Sequence, residues 1–100
     1  MNKQRVLNLL GLAAKGRMVT AGTDFVIKQM AVSKSIVFLA DDSGDNIKKK
    51  IRNKAKTFEA ILIEEFTTDE LSKAIGKSNR KVVLVADKGF IKKFTEYINS

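Results

Sequence analysis

Residues 17–40, RMVTAGTDFVIKQMAVSKSIVFLA, hold a strand, a helix and a second strand in one short run, and that succession decides the fold. RMVTA is a run of β-permissive residues. Thr23 is placed to cap a helix, with Asp24 in its first turn, while Val26, Ile27, Met30 and Ala31 recur at the spacing of a buried helical stripe. SIVFLA, residues 35–40, is a near-continuous apolar run, the mark of a strand covered on both faces.

The rest of the chain repeats the theme. Upstream, Val6, Leu9, Leu10 and Ala13, widened by Leu7 and Leu12, predict a helix from Lys3 to Lys15, with Gly16 as its stop signal. Downstream, DDSGDN ends the apolar strand, and Ile47, Ile51, Ala55 and Phe58 predict another helix whose cap is Asp42 or Ser43. AILIEEF (60–66) reads as a third strand. TTDELSKAIG (67–76) reads as a short helix, with Thr68 three residues before Leu71 and Gly76 at its close. KVVLVAD (81–87) reads as a fourth strand, and Gly89 to Asn99 as a last helix with Ile91, Phe94, Tyr97 and Ile98 facing inward. Five helices alternating with four strands predict an α/β fold: a three-layer α/β/α sandwich on a mixed four-stranded sheet. No repeat or linker divides residues 1–100, which suit one domain.

Nineteen Lys and Arg against eleven Asp and Glu give a formal net charge of +8, an excess that favours a polyanionic partner, most often nucleic acid. Cysteine and histidine are both absent. Disulfides, thiolate zinc sites and thiol nucleophiles are thereby excluded, as are the commonest general base and the imidazole ligand of most transition-metal sites. No cofactor is expected. The opening MNKQRVLNLLGLAAKGR has neither a signal-peptide cleavage site nor an apolar span of about 20 residues, so the expectation is a soluble cytoplasmic protein with no membrane partner, and a monomer is expected beside it without being read from these features.

Three stretches could carry chemistry. In AGTDFVIK, a glycine ahead of a helix start lets a phosphate or base edge approach free backbone N–H groups at the positive end of the helix dipole. Asp24 and Lys28 are neighbours at i,i+4 and also read as an ordinary surface ion pair; Phe25, at the stripe's edge, reads either as peripheral core or as an aromatic face for a base. GKSNRK (76–81) offers donors in Lys77, Ser78, Asn79, Arg80 and Lys81, or is a solvated loop. Were it to lie beside residues 15–22, then Lys15, Arg17, Lys28, Lys77, Arg80 and Lys81 would share one surface. The third, ADDSGDN (40–46), clusters acids after a buried strand, as a Mg²⁺-dependent receiver-type phosphotransfer site does; helix capping is the plainer reading. KKKIRNKAK (48–56) then reads as a solvated basic face or a secondary RNA contact.

The order of elements, with AGTDFVIK between the first strand and second helix, resembles the kink-turn RNA-binding ribosomal protein superfamily, which includes a large-subunit archaeal and eukaryotic protein. It is most similar to the bacterial YlxQ-type members, from LLGLAAKGRMVTAGTDFVIK through IGKSNRKVVLVADKGF. The superfamily's signature is Gly, any residue, Asn, Glu, two residues, Lys. Gly22 and Lys28 match it, while Asp24 stands for the Asn and Phe25 for the Glu. The resemblance implies a non-catalytic protein gripping tandem sheared G·A pairs beside a sharp bend in RNA, ribosomal RNA and the ribosome being the partners it suggests. Gly22, Thr23, Asp24 and Lys28 would then meet the G·A step and Gly76, Lys77, Ser78 and Asn79 the bend, with Arg17, Phe25 and Arg80 as further candidate RNA-binding residues. The competing expectations are a phosphotransfer domain using Asp41, Asp42 and Asp45, and a protein-interaction module on the same fold.

Overall fold

Valine-rich and isoleucine-rich segments form the middle of the sheet. β2 (Ile36–Leu39) and β4 (Val82–Val85) are buried along their whole length, so they pair at the centre, and the strand order is β1-β4-β2-β3. The computed structural model describes all 100 residues. β1 (Val19–Ala21) runs antiparallel to β4 with Ala21 opposite Val83; β2 is antiparallel to β4 with Leu39 opposite Val82; β3 (Ile61–Ile63) is parallel to β2. The sheet is mixed, as expected.

Successive side chains of a strand point to opposite faces, and the two cores follow that alternation. Ile36, Phe38, Ala40, Val83 and Val85 join a cluster with α1 (Lys3–Lys15), α4 (Thr68–Ala74) and α5 (Lys88–Ile98). Phe38 sits edge-on to Phe94 and Phe66, with ring centroids 5.1 and 6.0 Å apart. Val37, Leu39, Val82 and Leu84 face the other way, onto α2 (Thr23–Val32) and α3 (Asp45–Thr57). The result is the three-layer α/β/α sandwich, with three helices on one face and two on the other. No helix is long and apolar enough to cross a membrane.

Element edges differ from the sequence reading in instructive ways. The third strand is only three residues long, because Glu64 turns out to meet Arg52 and Phe66 turns into the core. The first helix stops at Lys15 as expected, but Arg17, not Gly16, takes the left-handed conformation (φ 58°). Thr23 does not cap α2: it is the first helical residue, and Gly22 is the N-cap. Of the expected α2 stripe, Val26 and Met30 are buried, Ile27 is half-buried and Ala31 is exposed. Phe58 falls past the end of α3, where Glu59 turns left-handed (φ 56°), and is exposed. The cap of α4 is Thr67 rather than Thr68: its hydroxyl accepts from the Glu70 amide at 3.1 Å, and the Glu70 carboxylate accepts from the Thr67 amide at 2.9 Å.

Candidate nucleic-acid interface

β1, β2 and β3 all run toward the same end of the sheet, and β4 begins there. Four connections therefore gather at that end: Gly22, residues 40–44, residues 64–67 and residues 75–81. Sequence alone could not place the first and last of these together; the antiparallel pairing of β1 with β4 does so, and the Gly22 amide donates to the Val82 carbonyl at 3.1 Å.

Gly22 holds φ 101° and ψ 140°, a region that side chains with a Cβ rarely enter, so glycine is required for the tight passage from strand to helix. With no side chain to fold over, it leaves α2 without a cap. The Val26 amide reaches the Gly22 carbonyl at 2.9 Å, while the amides of Thr23, Asp24 and Phe25 have no protein acceptor.

The opposite wall is the loop 76–81. Gly76 (φ 71°) and Asn79 (φ 52°) are both left-handed, and buried Ser72 of α4 holds the loop. Its hydroxyl accepts from the Arg80 amide at 2.8 Å and lies 3.3 Å from the Arg80 carbonyl, while its own carbonyl accepts from the Lys77 amide at 2.9 Å. The Arg80 guanidinium folds back to donate to the Ser78 carbonyl at 2.9 Å.

Between these walls lies a cleft bordered by Gly22, Thr23 and Phe25 on one side, Asn79, Arg80 and Lys81 on the other, and Ile47 from α3. No carboxylate lines it. Phe25 is 68% exposed, which removes it from the peripheral core and stands it at the cleft as an open aromatic face. Cations, uncapped amides and an exposed ring in an acid-free cleft suit phosphate oxygens and base faces.

The remaining candidates are distributed otherwise. Asp24 does not pair with Lys28; its carboxylate meets Lys50 of α3 at 3.6 Å, so the expected i,i+4 pair is replaced by one between helices. Lys28 is exposed, has no carboxylate within 4.0 Å and does not line the cleft. Gly76 lies beside Lys15 in a groove between α1 and α4. Lys77 and Ser78 border a second depression with Asp42, Thr68 and Ser72. Arg17 precedes β1 at the far end of the sheet and does not line the cleft. Arg80 and Lys81 share the cleft, Gly76 of the same loop shares a groove with Lys15, and Lys77 follows Gly76 in the chain, while Arg17 and Lys28 do not line the cleft.

Asp42 caps neither α3 nor a metal. Its carboxylate accepts from the Thr68 hydroxyl at 2.6 Å and the Thr68 amide at 2.9 Å, tying residues 40–44 to the start of α4, and those bonds hold its pKa below the usual carboxylate value. The N-cap of α3 is Gly44, with no side-chain bond. Asp41, Asp42 and Asp45 form no group able to hold a metal ion, because their strand end turns Asp42 toward α4, so the phosphotransfer geometry is not assembled. Ser72, Ile47 and Lys50 are the residues the sequence reading missed in these roles. A serine inside the Leu71–Ile75 stretch of an inward-facing helix is a signal for Ser72, since a buried hydroxyl needs partners.

Comparison with known proteins agrees with this architecture. No protein-family model matches the chain. The RNA-binding protein YlxQ of Enterococcus faecium is 38% identical over 98 residues, spanning 97% of this chain and 94% of that one. The RNA-binding protein YlxQ of Bacillus subtilis is 34% identical over 92 residues, 91% and 92% of the two chains. A solved structure from Bacillus halodurans C, of a protein with unknown function, superposes with a TM-score of 0.88 at 33% identity over 95% of this chain and 97% of that one. The Giardia lamblia 15.5kD RNA binding protein shares the fold, with a TM-score of 0.80 at 18% identity over 97% and 84% of the chains. At the identities and coverage of the two curated relatives, the chain belongs to the YlxQ family.

Proposed function

We propose that this protein is a non-catalytic RNA-binding protein that recognises a kink-turn, in which tandem sheared G·A pairs adjoin a sharp bend. The observation that carries the proposal is the acid-free cleft, where the uncapped start of α2 and exposed Phe25 face Asn79, Arg80 and Lys81. Relatives named as RNA-binding proteins at 38% and 34% identity support the RNA partner, and the net charge of +8 supports it independently. Kink-turn recognition rests on the family resemblance, with Gly22 and Lys28 in the signature. Phe25 in place of the family's Glu changes how the G·A step is met: it offers a stacking face where a carboxylate would accept hydrogen bonds. Structural RNA of this kind, ribosomal RNA among it, is the partner class this reading favours.

The test is a titration of the protein against a kink-turn duplex and against the same duplex with its G·A pairs replaced by Watson–Crick pairs. Clearly tighter binding to the kink-turn is expected, with a log-log salt slope reporting about four to six phosphate contacts. Equal affinity for both duplexes would reduce the protein to a nonspecific basic binder.

A further inference from the structure

The charge of this protein is unevenly placed. Of nineteen Lys and Arg in the chain, six lie in the thirteen residues of α3: Lys48, Lys49, Lys50, Arg52, Lys54 and Lys56, against one acid, Asp45. Only Lys50, 3.6 Å from Asp24, and Arg52, whose guanidinium grips Glu64 at 2.7 Å, have a carboxylate within 4.0 Å. Ile51 and Ala55 fix which side of the helix is buried, and Lys49 and Lys56 are exposed on the other.

An ordinary solvated helix mixes its charges, since opposite charges at i,i+4 support a helix and like charges weaken it. α3 has one opposite-charge spacing of that kind, Asp45 to Lys49, against three like-charge ones, Lys48 with Arg52, Lys50 with Lys54 and Arg52 with Lys56. α4 shows the usual arrangement, with Asp69 bonded to Lys73 at 3.1 Å. The repulsion within α3 is relieved if a polyanion lies along it. The position of the helix says which one. Ile47, in its first turn, borders the cleft, and from there α3 extends about 20 Å at 1.5 Å per residue.

We infer that α3 is a second RNA-binding surface, whose exposed basic ridge follows the phosphate backbone of one of the two duplex stems leaving the cleft. The inference rests on the cleft's being an RNA site and adds a role for stem length. Phosphate contacts of this kind carry no sequence information and add affinity in proportion to the phosphates neutralised.

The experiment uses kink-turn RNAs whose stems, lengthened one at a time, run from about 4 to about 14 base pairs, titrated with wild type and with the double variant Lys49→Gln, Lys56→Gln. Lengthening one particular stem is expected to tighten wild-type binding about tenfold. The double variant should match wild type within about twofold on the short RNA, lose the gain on the long one, and show a salt slope smaller by about two. Wild-type affinity independent of both stem lengths, or a variant that loses equally on short and long RNA, overturns the inference. The same stems without the G·A pairs separate the two claims: equal affinity with and without the pairs refutes kink-turn recognition, while a length gain that the double variant loses still supports the α3 surface.

Discussion

The helices on the two faces of the sheet begin differently. On one face, every helix start is closed by a side chain: Asn2 accepts from the Arg5 amide at 3.1 Å in α1, Thr67 from the Glu70 amide at 3.1 Å in α4, and Asp87 from the Phe90 amide at 3.0 Å in α5. On the other, α2 begins at Gly22 and α3 at Gly44, neither with a side-chain cap. Both uncapped helices border the cleft, through Thr23 and Phe25 and through Ile47. Replacing a Ser, Thr, Asp or Asn cap by alanine costs about 0.5–2 kcal/mol, and by glycine only a few tenths. The open starts therefore cost the fold little and leave six amides able to meet an anionic ligand, those of residues 23–25 and 45–47. The larger core cluster, of thirteen residues against eight, lies on the capped side, so one face supplies most of the packing and the other carries the open helix starts.

Substitutions can break or sharpen that contrast. The largest effects are expected on binding at the open face. Phe25→Ala should weaken kink-turn affinity by about 1–3 kcal/mol if a base stacks on the ring, with folding stability nearly unchanged because the side chain is 68% exposed. Lys28→Ala should cost a similar 1–3 kcal/mol in affinity if the side chain reaches a base edge or crowded phosphate, again with little effect on folding, since no carboxylate pairs with it. Isothermal titration paired with urea unfolding separates the two quantities. Affinity loss that only tracks a loss of stability would place both residues outside the interface.

On the closed face the opposite pattern is expected. Thr67→Ala removes the capping box of α4 and should lower folding stability by about 1 kcal/mol, leaving affinity for RNA unchanged once the protein is folded. Smaller still is Gly44→Ser. Gly44 has an extended backbone (φ −65°, ψ 157°), and a Cβ there meets nothing within 4 Å, so serine can close the start of α3. Stability should rise by a few tenths of a kcal/mol, and RNA affinity should fall as amides are taken up. A serine that stabilises the fold and also tightens binding would contradict a role for the open amides of α3.

The Asp42 carboxylate supplies a pH test of how the acidic loop is held. Its pKa is depressed in the folded protein, first by the Thr68 hydroxyl and then by the Thr68 amide. A depressed carboxylate stabilises the fold above its unfolded pKa of about 4, and that contribution disappears as pH falls through the lower folded value. Asp42→Asn should therefore flatten the acid limb of the stability curve in this window while leaving the neutral limb nearly parallel to wild type. An acid limb identical in the two proteins would mean that the Thr68 bonds do not couple to folding.

Much of this was legible in local sequence. The stripe of Val6, Leu9, Leu10 and Ala13 gave α1 its limits, and the unbroken apolar runs around Ile36 and Val82 marked the central strands, because periodicity and burial are properties of neighbouring residues. The site was legible in its parts and not in its assembly. Gly22 and Asn79 were visible as turn and donor residues, but their meeting depends on β1 pairing with β4 across sixty residues of chain. The partners of Asp24 and Asp42 were misread for the same reason. Each has a plausible local partner, Lys28 or the start of α3, yet each bonds through space, to Lys50 and to Thr68. The sequence signals Ser72 as a serine in the Leu71–Ile75 stretch, but the loop it clamps is seen only in the fold.

The most direct measurement of whether the open helix starts carry RNA is a backbone amide NMR titration with a kink-turn duplex. The expected result is large shift changes at Thr23, Asp24 and Phe25, with Asn79 following, and negligible changes at the amides of Arg5, Glu70 and Phe90 that side chains already hold. Shifts concentrated at those three capped amides, with residues 23–25 unmoved, would contradict it.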